Sequence, residues 1–316
     1  MQIFHKIYFP NDTDEAFEVH SSTRAIDLCE EIALRMRLKS HEGFSLFVKI
    51  ADKVFSVPHE YFFFDFVHEL MEWTRQSRPS AKSSGSAAQV QYQIFFMKKL
   101  WVNAFPGRDP NADEIFYFHQ ELPKFLRGYH RCSKQEAIKL AALIYRTKFG
   151  DSKEEIADIP NKLREYVPAD LLHILSGNDW KKQISAVYSQ QSGTSEAESK
   201  LQFLQHIYQW PTFGSAFFEV KQSTESSFPE LMIIAINKHG VSAIHPQTKE
   251  ILAMWSFTEL SNWSSGNTYF HMTIGNFMKG QKILCETALG YKMDDLISSY
   301  IYHLRSSLES EPALRP

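Results

Sequence analysis

The sequence predicts an α+β chain built from three successive lobes, because its hydrophobic period changes twice along 316 residues. Up to about residue 99, short period-two runs alternate with helical stripes. From about 100 to 209 helical spacing prevails. From about 210 to 310 period two returns, before one last helical stripe. Residues 311–316 read as a short tail. With 43% hydrophobic and 14% aromatic residues, there is enough apolar surface to bury a core in every lobe.

In the first lobe, residues 2–9 and 15–19 are strand-like and are joined by a Pro10–Asn11–Asp12 turn. Ser22 or Thr23 is placed to cap a helix carrying Ala25, Ile26, Cys29, Ile32, Ala33 and Met36 at helical spacing. Strand character returns at 44–50 and 53–57, followed by an aromatic helix over 61–73 and a final strand over 89–98. The intervening residues 77–88, rich in Ser and Ala, read as a flexible loop. The order β-β-α-β-β-helix-β is that of a ubiquitin-like grasp.

The second lobe is a helical bundle. Ser133 with Glu136, and Ser195 with Glu198, have capping-box spacing, in which the two side chains satisfy orphan backbone N–H groups. Pro123, Pro160, Pro168 and Pro211 punctuate its helices. The third lobe offers short strands over 216–220, 231–237, 241–245, 251–257, 268–275 and 282–288. A helix then follows, with Met293, Leu296, Ile297, Tyr300, Ile301, Leu304 and Leu308 on one face. Antiparallel strands plugged by one C-terminal helix are the pattern of a pleckstrin-type or phosphotyrosine-binding-type barrel.

Several functions are excluded or left without support. The net charge of −3 provides no drive toward nucleic acid. No apolar run approaches the roughly 18 residues that cross a bilayer, and three scattered cysteines fit reduced thiols in the cytosol. Neither phosphate-cradling glycine motif occurs. His68–Glu69 begins a zinc-protease motif, but Glu72 stands where the second His belongs. Asp294 and Asp295 resemble a paired-carboxylate site, yet at the start of a helix they serve its N-terminal dipole. No catalytic, metal or cofactor residue is assigned. The aromatic cluster Tyr61, Phe62, Phe63, Phe64, Phe66 and Trp73 lacks interleaved cations and reads as core or lobe contact. Trp210, Phe213, Phe217 and Phe218 read as a hydrophobic joint between the second and third lobes.

Grasp, bundle and pleckstrin-type lobe, in that order, resemble a FERM module. The resemblance rests on Tyr117-Phe118-His119-Gln120, Tyr166-Val167-Pro168, Trp180-Lys181-Lys182-Gln183-Ile184 and the run from Pro211-Thr212-Phe213-Gly214 to Val220. Asn262-Trp263-Ser264-Ser265-Gly266-Asn267-Thr268-Tyr269, with Cys285-Glu286-Thr287-Ala288-Leu289-Gly290-Tyr291, narrows it to the C-terminal FERM module of a class VII unconventional myosin tail, nearer the brush-border b-type than the a-type. Such a module implies a non-catalytic, cargo-binding tail. Harmonin-like PDZ scaffolds and ankyrin-repeat adaptors are its implied partners, and actin is engaged only by a motor head outside this chain. The implied location is cytoplasmic and cytoskeletal, at the tips of brush-border microvilli or stereocilia, with a further role in folding back on the head. The alternative is a phosphoinositide-dependent membrane module, which requires a Lys/Arg cluster at one lobe junction, such as Lys6, Lys49 and Lys53 meeting Lys279 and Lys282.

In lobes of the third type, the strand beside the C-terminal helix leaves an edge to which a peptide adds as an extra strand. Mapped by order, Ser261, Asn262, Trp263 and Ser264 form that edge, and Asp295, Ser298, Ser299 and Tyr302 line the facing helix. Trp263 as plain core, clefts between lobes and the 77–88 loop are the competing placements. The chain ends in Pro316, a poor C-terminal PDZ ligand, so a PDZ partner would use a folded surface.

Overall fold

A computed structural model describes residues 2–77 and 91–310. Apart from Ser77, the expected 77–88 loop lies outside the described residues, as does the 311–316 tail. The chain divides into two compact units. The first comprises Met1–Asn103 with Asp109–His119, and the second Ala104–Arg108 with Gln120–Pro316.

The first unit contains β1 (Gln2–Tyr8), β2 (Asp14–His20), α1 (Ala25–Arg35), β3 (Phe44–Ile50), β4 (Lys53–Ser56), α2 (Phe63–Ser77) and β5 (Tyr92–Lys98). The sheet order is β2-β1-β5-β3-β4, with only β1 and β5 parallel. This is the mixed sheet of the expected grasp. Ala25, Leu28, Cys29, Ile32 and Ala33 form the buried face of α1; four of the six expected residues lie on it, Leu28 joins them, and Ile26 and Met36 are only half-buried. Its cap differs: Thr23 Oγ1 accepts from His20 N–H and closes the preceding turn, so Arg24 takes the cap position and its N–H donates to Asp27. Aromatic exposure also departs from the core expectation. Phe63 is buried, whereas Tyr61, Phe62 and Trp73 are 41–45% exposed. After β5 a short helix, α3 (Pro110–Ala112), runs into a π-helical turn at Asp113–Tyr117. Phe116 of that turn meets Phe44 edge-on at 4.9 Å, which explains why this segment groups with the sheet.

The second unit takes in all but the first two residues of helix α4 (Phe118–Leu126), then α5 (Lys134–Phe149), α6 (Gly177–Gln190) and α7 (Glu196–Ile207). The Ser133–Glu136 box forms in both directions, and Ser195 accepts from Glu198 N–H. Ser176 caps α6 through Asp179, a start with no Glu or Gln at the box position. Pro123 lies inside α4 rather than between helices.

Seven strands follow: β6 (Ala216–Gln222), β7 (Leu231–Asn237), β8 (Gly240–Ile244), β9 (Ile251–Trp255), β10 (Leu260–Ser265), β11 (Tyr269–Ile274) and β12 (Gln281–Glu286). They form one antiparallel sheet in the order β10-β11-β12-β6-β7-β8-β9. The expected barrel is not closed: among the described residues, no ladder joins β9 to β10. The chain turns sharply between them at Phe257–Glu259. Phe257 stacks on Tyr300 of α8 (Gly290–Ser310) at 5.3 Å, so the helix seals the core where strand pairing does not. Gly290 makes this possible. A Cβ there would stand 2.4 Å from the Tyr269 carbonyl oxygen, so only glycine lets α8 start against β11.

Helices and sheet of the second unit meet at the expected aromatic joint. Tyr129 stacks on Phe217 at 5.0 Å, and His130 packs against both Trp210 and Phe217. The joint also holds an unforeseen ionic group. Glu121 is fully buried, 2.5 Å from Lys124 Nζ and 3.4 Å from His130 Nε2, while His130 Nδ1 lies 2.8 Å from Thr212 Oγ1. Burial pushes the Glu121 carboxyl up, but Lys124 and His130 together outweigh it and hold the group below its ordinary range.

Candidate functional site

The outer edge of β10 and the first turns of α8 make up the candidate site. Strand alternation sends Asn262 and Ser264 to one face and Trp263 and Ser265 to the other. On the first face, His271 of β11 stands between Asn262 and Ser264, 3.4 Å and 2.9 Å from their side chains. On the second face, Trp263 Nε1 donates to Ser298 Oγ at 3.1 Å. Ser265 Oγ donates to one oxygen of Asp294 at 2.9 Å, and Ser298 Oγ donates to the other at 3.3 Å. The register shifts between Leu260 and Asn262, a bulge at which Ser261 turns its hydroxyl to the Thr273 carbonyl.

The eight residues expected at this edge are therefore divided. Trp263 and Ser298 are joined directly. Trp263 is half-buried, which makes it neither plain core nor a free surface ring. Asn262 and Ser264 lie on the strand's opposite face, and Ser261 sits at the bulge. Tyr302 is on α8 and 70% exposed. Asp295 and Ser299 lie about 100° further round the helix than Asp294 and Ser298. The Ser299 hydroxyl bonds back to the Asp295 carbonyl. The sequence reading missed Asp294 as a member of this row, having assigned it to the helix dipole. Its spacing of four from Ser298 was the available signal.

β10 ends the sheet, and among the described residues no strand pairs with its outer side. A strand edge of this kind presents a row of backbone N–H and C=O groups, here beside α8. Among the described residues, no group of three or more His, Cys, Asp or Glu is arranged to hold a metal ion, and no helix is long and apolar enough to cross a membrane.

Three family models match in order along the chain. An RA-like domain matches residues 1–100, the FERM central domain residues 111–218, and an IRS-1-type PTB domain residues 218–305. Myosin-VIIa of Drosophila melanogaster is 59% identical over 314 residues, covering 99% of this chain and 14% of that protein. Unconventional myosin-VIIb of Mus musculus is 47% identical over 314 residues, covering 99% of this chain and 15% of that protein. The chain thus spans about a seventh of the length of these relatives. These identities give no support to the b-type preference drawn from the sequence. Among solved structures, the human Myosin 7b C-terminal MyTH4-FERM domain in complex with the harmonin-a PDZ3 domain aligns with a TM-score of 0.88 and 50% identity. That alignment covers 96% of this chain and 60% of the other. Lobe order, open PTB-like sheet and these likenesses agree: the chain belongs to the FERM family, as the non-catalytic FERM domain of a class VII myosin tail.

Proposed function

We propose that this module docks a PDZ-type scaffold of the harmonin kind as cargo of an actin-based motor, and that the β10 edge with α8 is where it docks. The reading is supported by one structural observation above others: a strand edge that no strand pairs with among the described residues lies beside a helix, with a polar row anchored by Trp263 and Ser298 between them. The related human domain is described in complex with a harmonin PDZ3 domain, which supports the partner class. Ankyrin-repeat adaptors form a second cargo class, and the tips of microvilli or stereocilia are the places where such cargo is held. Fold-back of the tail onto the motor head belongs to the same reading, since both use an exposed docking surface. We keep the lobe limits 1–99, 100–209 and 210–310 as its working division. Phosphoinositide attachment has weaker footing: Lys6 is paired with Asp14 at 3.1 Å, and Lys53 sits over the Trp73 ring.

Calorimetry of the chain against a harmonin-type PDZ fragment tests the reading, with Ser298→Arg as the blocking variant. Saturable binding that the variant loses supports scaffold and groove together. Equal binding by both chains keeps the scaffold and removes the groove. Absence of binding by the unaltered chain overturns the scaffold. Flotation with phosphoinositide vesicles at about 0.15 M salt tests the membrane alternative, whose electrostatic attraction weakens as salt is added.

A further inference from the structure

Charge around the β10 edge restricts what kind of segment can lie there. β10 itself carries no ionisable side chain, and β11 contributes a tyrosine, Tyr269, and His271, which stands on the opposite face with Asn262 and Ser264; neither strand carries a lysine, an arginine or a carboxylate. On the α8 side the carboxylate of Asp294 is half-buried between strand and helix. Its two oxygens accept from the neutral hydroxyls of Ser265 and Ser298, and among the described residues no lysine or arginine pairs with it. Lys292 lies about 160° round the helix from it, and Arg305, on the same side, is about 16 Å further along the axis. The row is therefore anionic where the strand and helix come together.

A phosphate bound in a groove calls for a cluster of arginines or lysines, because its charge must be met by donors in fixed positions. Among the described residues β10 and β11 carry no lysine or arginine and α8 carries only Lys292 and Arg305, although this lobe matches a phosphotyrosine-binding type of domain. An unphosphorylated strand with a lysine or arginine opposite Ser265 would instead meet a carboxylate already oriented by two hydroxyls.

We infer that the groove takes an unphosphorylated extended segment whose basic side chain pairs with Asp294, and that it rejects phosphotyrosine. This rests on the reading of β10 and α8 as the docking edge. The probe is an array of 11-residue peptides with central tyrosine or phosphotyrosine, flanked by lysine or by glutamate at each position in turn. It is applied to the full 316-residue chain. Lysine peptides should bind ~2–5-fold more tightly than their glutamate counterparts, the range of an exposed ion pair. Phosphorylation should weaken binding further. Asp294→Asn, which can keep hydrogen bonds to both serines, should abolish the lysine preference without loss of folding. Asp294→Lys should reverse it.

Preference for phosphotyrosine or glutamate by the unaltered chain overturns the inference, as does a lysine preference that survives in Asp294→Asn. Absence of binding to every peptide also overturns it. In that last case the Ser298→Arg comparison against the PDZ fragment still reports separately on the docking edge.

Discussion

Two polar groups in the second unit use the same chemistry in opposite surroundings. At the joint between helices and sheet, a carboxylate (Glu121), a hydroxyl (Thr212) and an aromatic ring bearing nitrogen (His130) are almost wholly buried. Along the β10 edge, a carboxylate (Asp294), a hydroxyl (Ser298) and an indole N–H (Trp263) are linked in much the same way, but remain half or fully exposed. At the joint water cannot replace a lost partner, so each group holds the others in place and the network fixes one arrangement of helices and sheet. At the edge each bond can be exchanged for one to water or to an incoming strand at small net cost. The first arrangement suits a support and the second suits a surface for exchange.

The comparison breaks most directly at Glu121. Glu121→Ala should cost about 3–5 kcal/mol in denaturant unfolding, since it takes away the buried carboxylate that faces the buried His130 and pairs with Lys124. If it costs less than 1 kcal/mol, the joint is not a support. The same carboxyl predicts a pH response. Its folded value lies below its ordinary 4.5, so its stabilisation is present above that pH and is lost as pH falls through the folded value. Glu121→Gln should flatten that acid loss in a pH series.

Gly290→Ala comes next, at roughly 1–3 kcal/mol, because the new methyl group must move α8 away from Tyr269. It should also weaken PDZ binding by shifting Ser298, so a variant destabilised yet fully binding would detach the groove from the start of the helix. Thr212→Val should cost about 1–2 kcal/mol, leaving a buried His130 nitrogen without its hydroxyl partner. Trp263→Phe sets the lower bound. It removes the bond to Ser298 at a half-exposed position and should cost no more than about 1 kcal/mol. A cost as large as that of Glu121→Ala would erase the distinction between support and exchange surface.

What could be read from the sequence was what depends on neighbours. The α1 stripe, the Ser133–Glu136 box and the change from period two to period 3.6 and back arise from residues within a few positions of one another. Chain geometry links such spacing to conformation before any tertiary contact forms. The order of three lobes followed from these local signals, whereas the strand next to the last helix was placed by mapping the third lobe onto pleckstrin-type lobes. Tertiary structure decided the rest. Glu121 and His130 are nine positions apart, but Thr212 lies 82 positions beyond His130, and only folding brings that hydroxyl to the ring. Likewise, Asp294 rather than Asp295 faces the strand because α8 is anchored by its Gly290 contact with Tyr269 and by Tyr300 against Phe257. The sheet stays open for a related reason. Strand periodicity announces strands but not which edges pair, and here a helix covers the core that β9 and β10 leave unsealed.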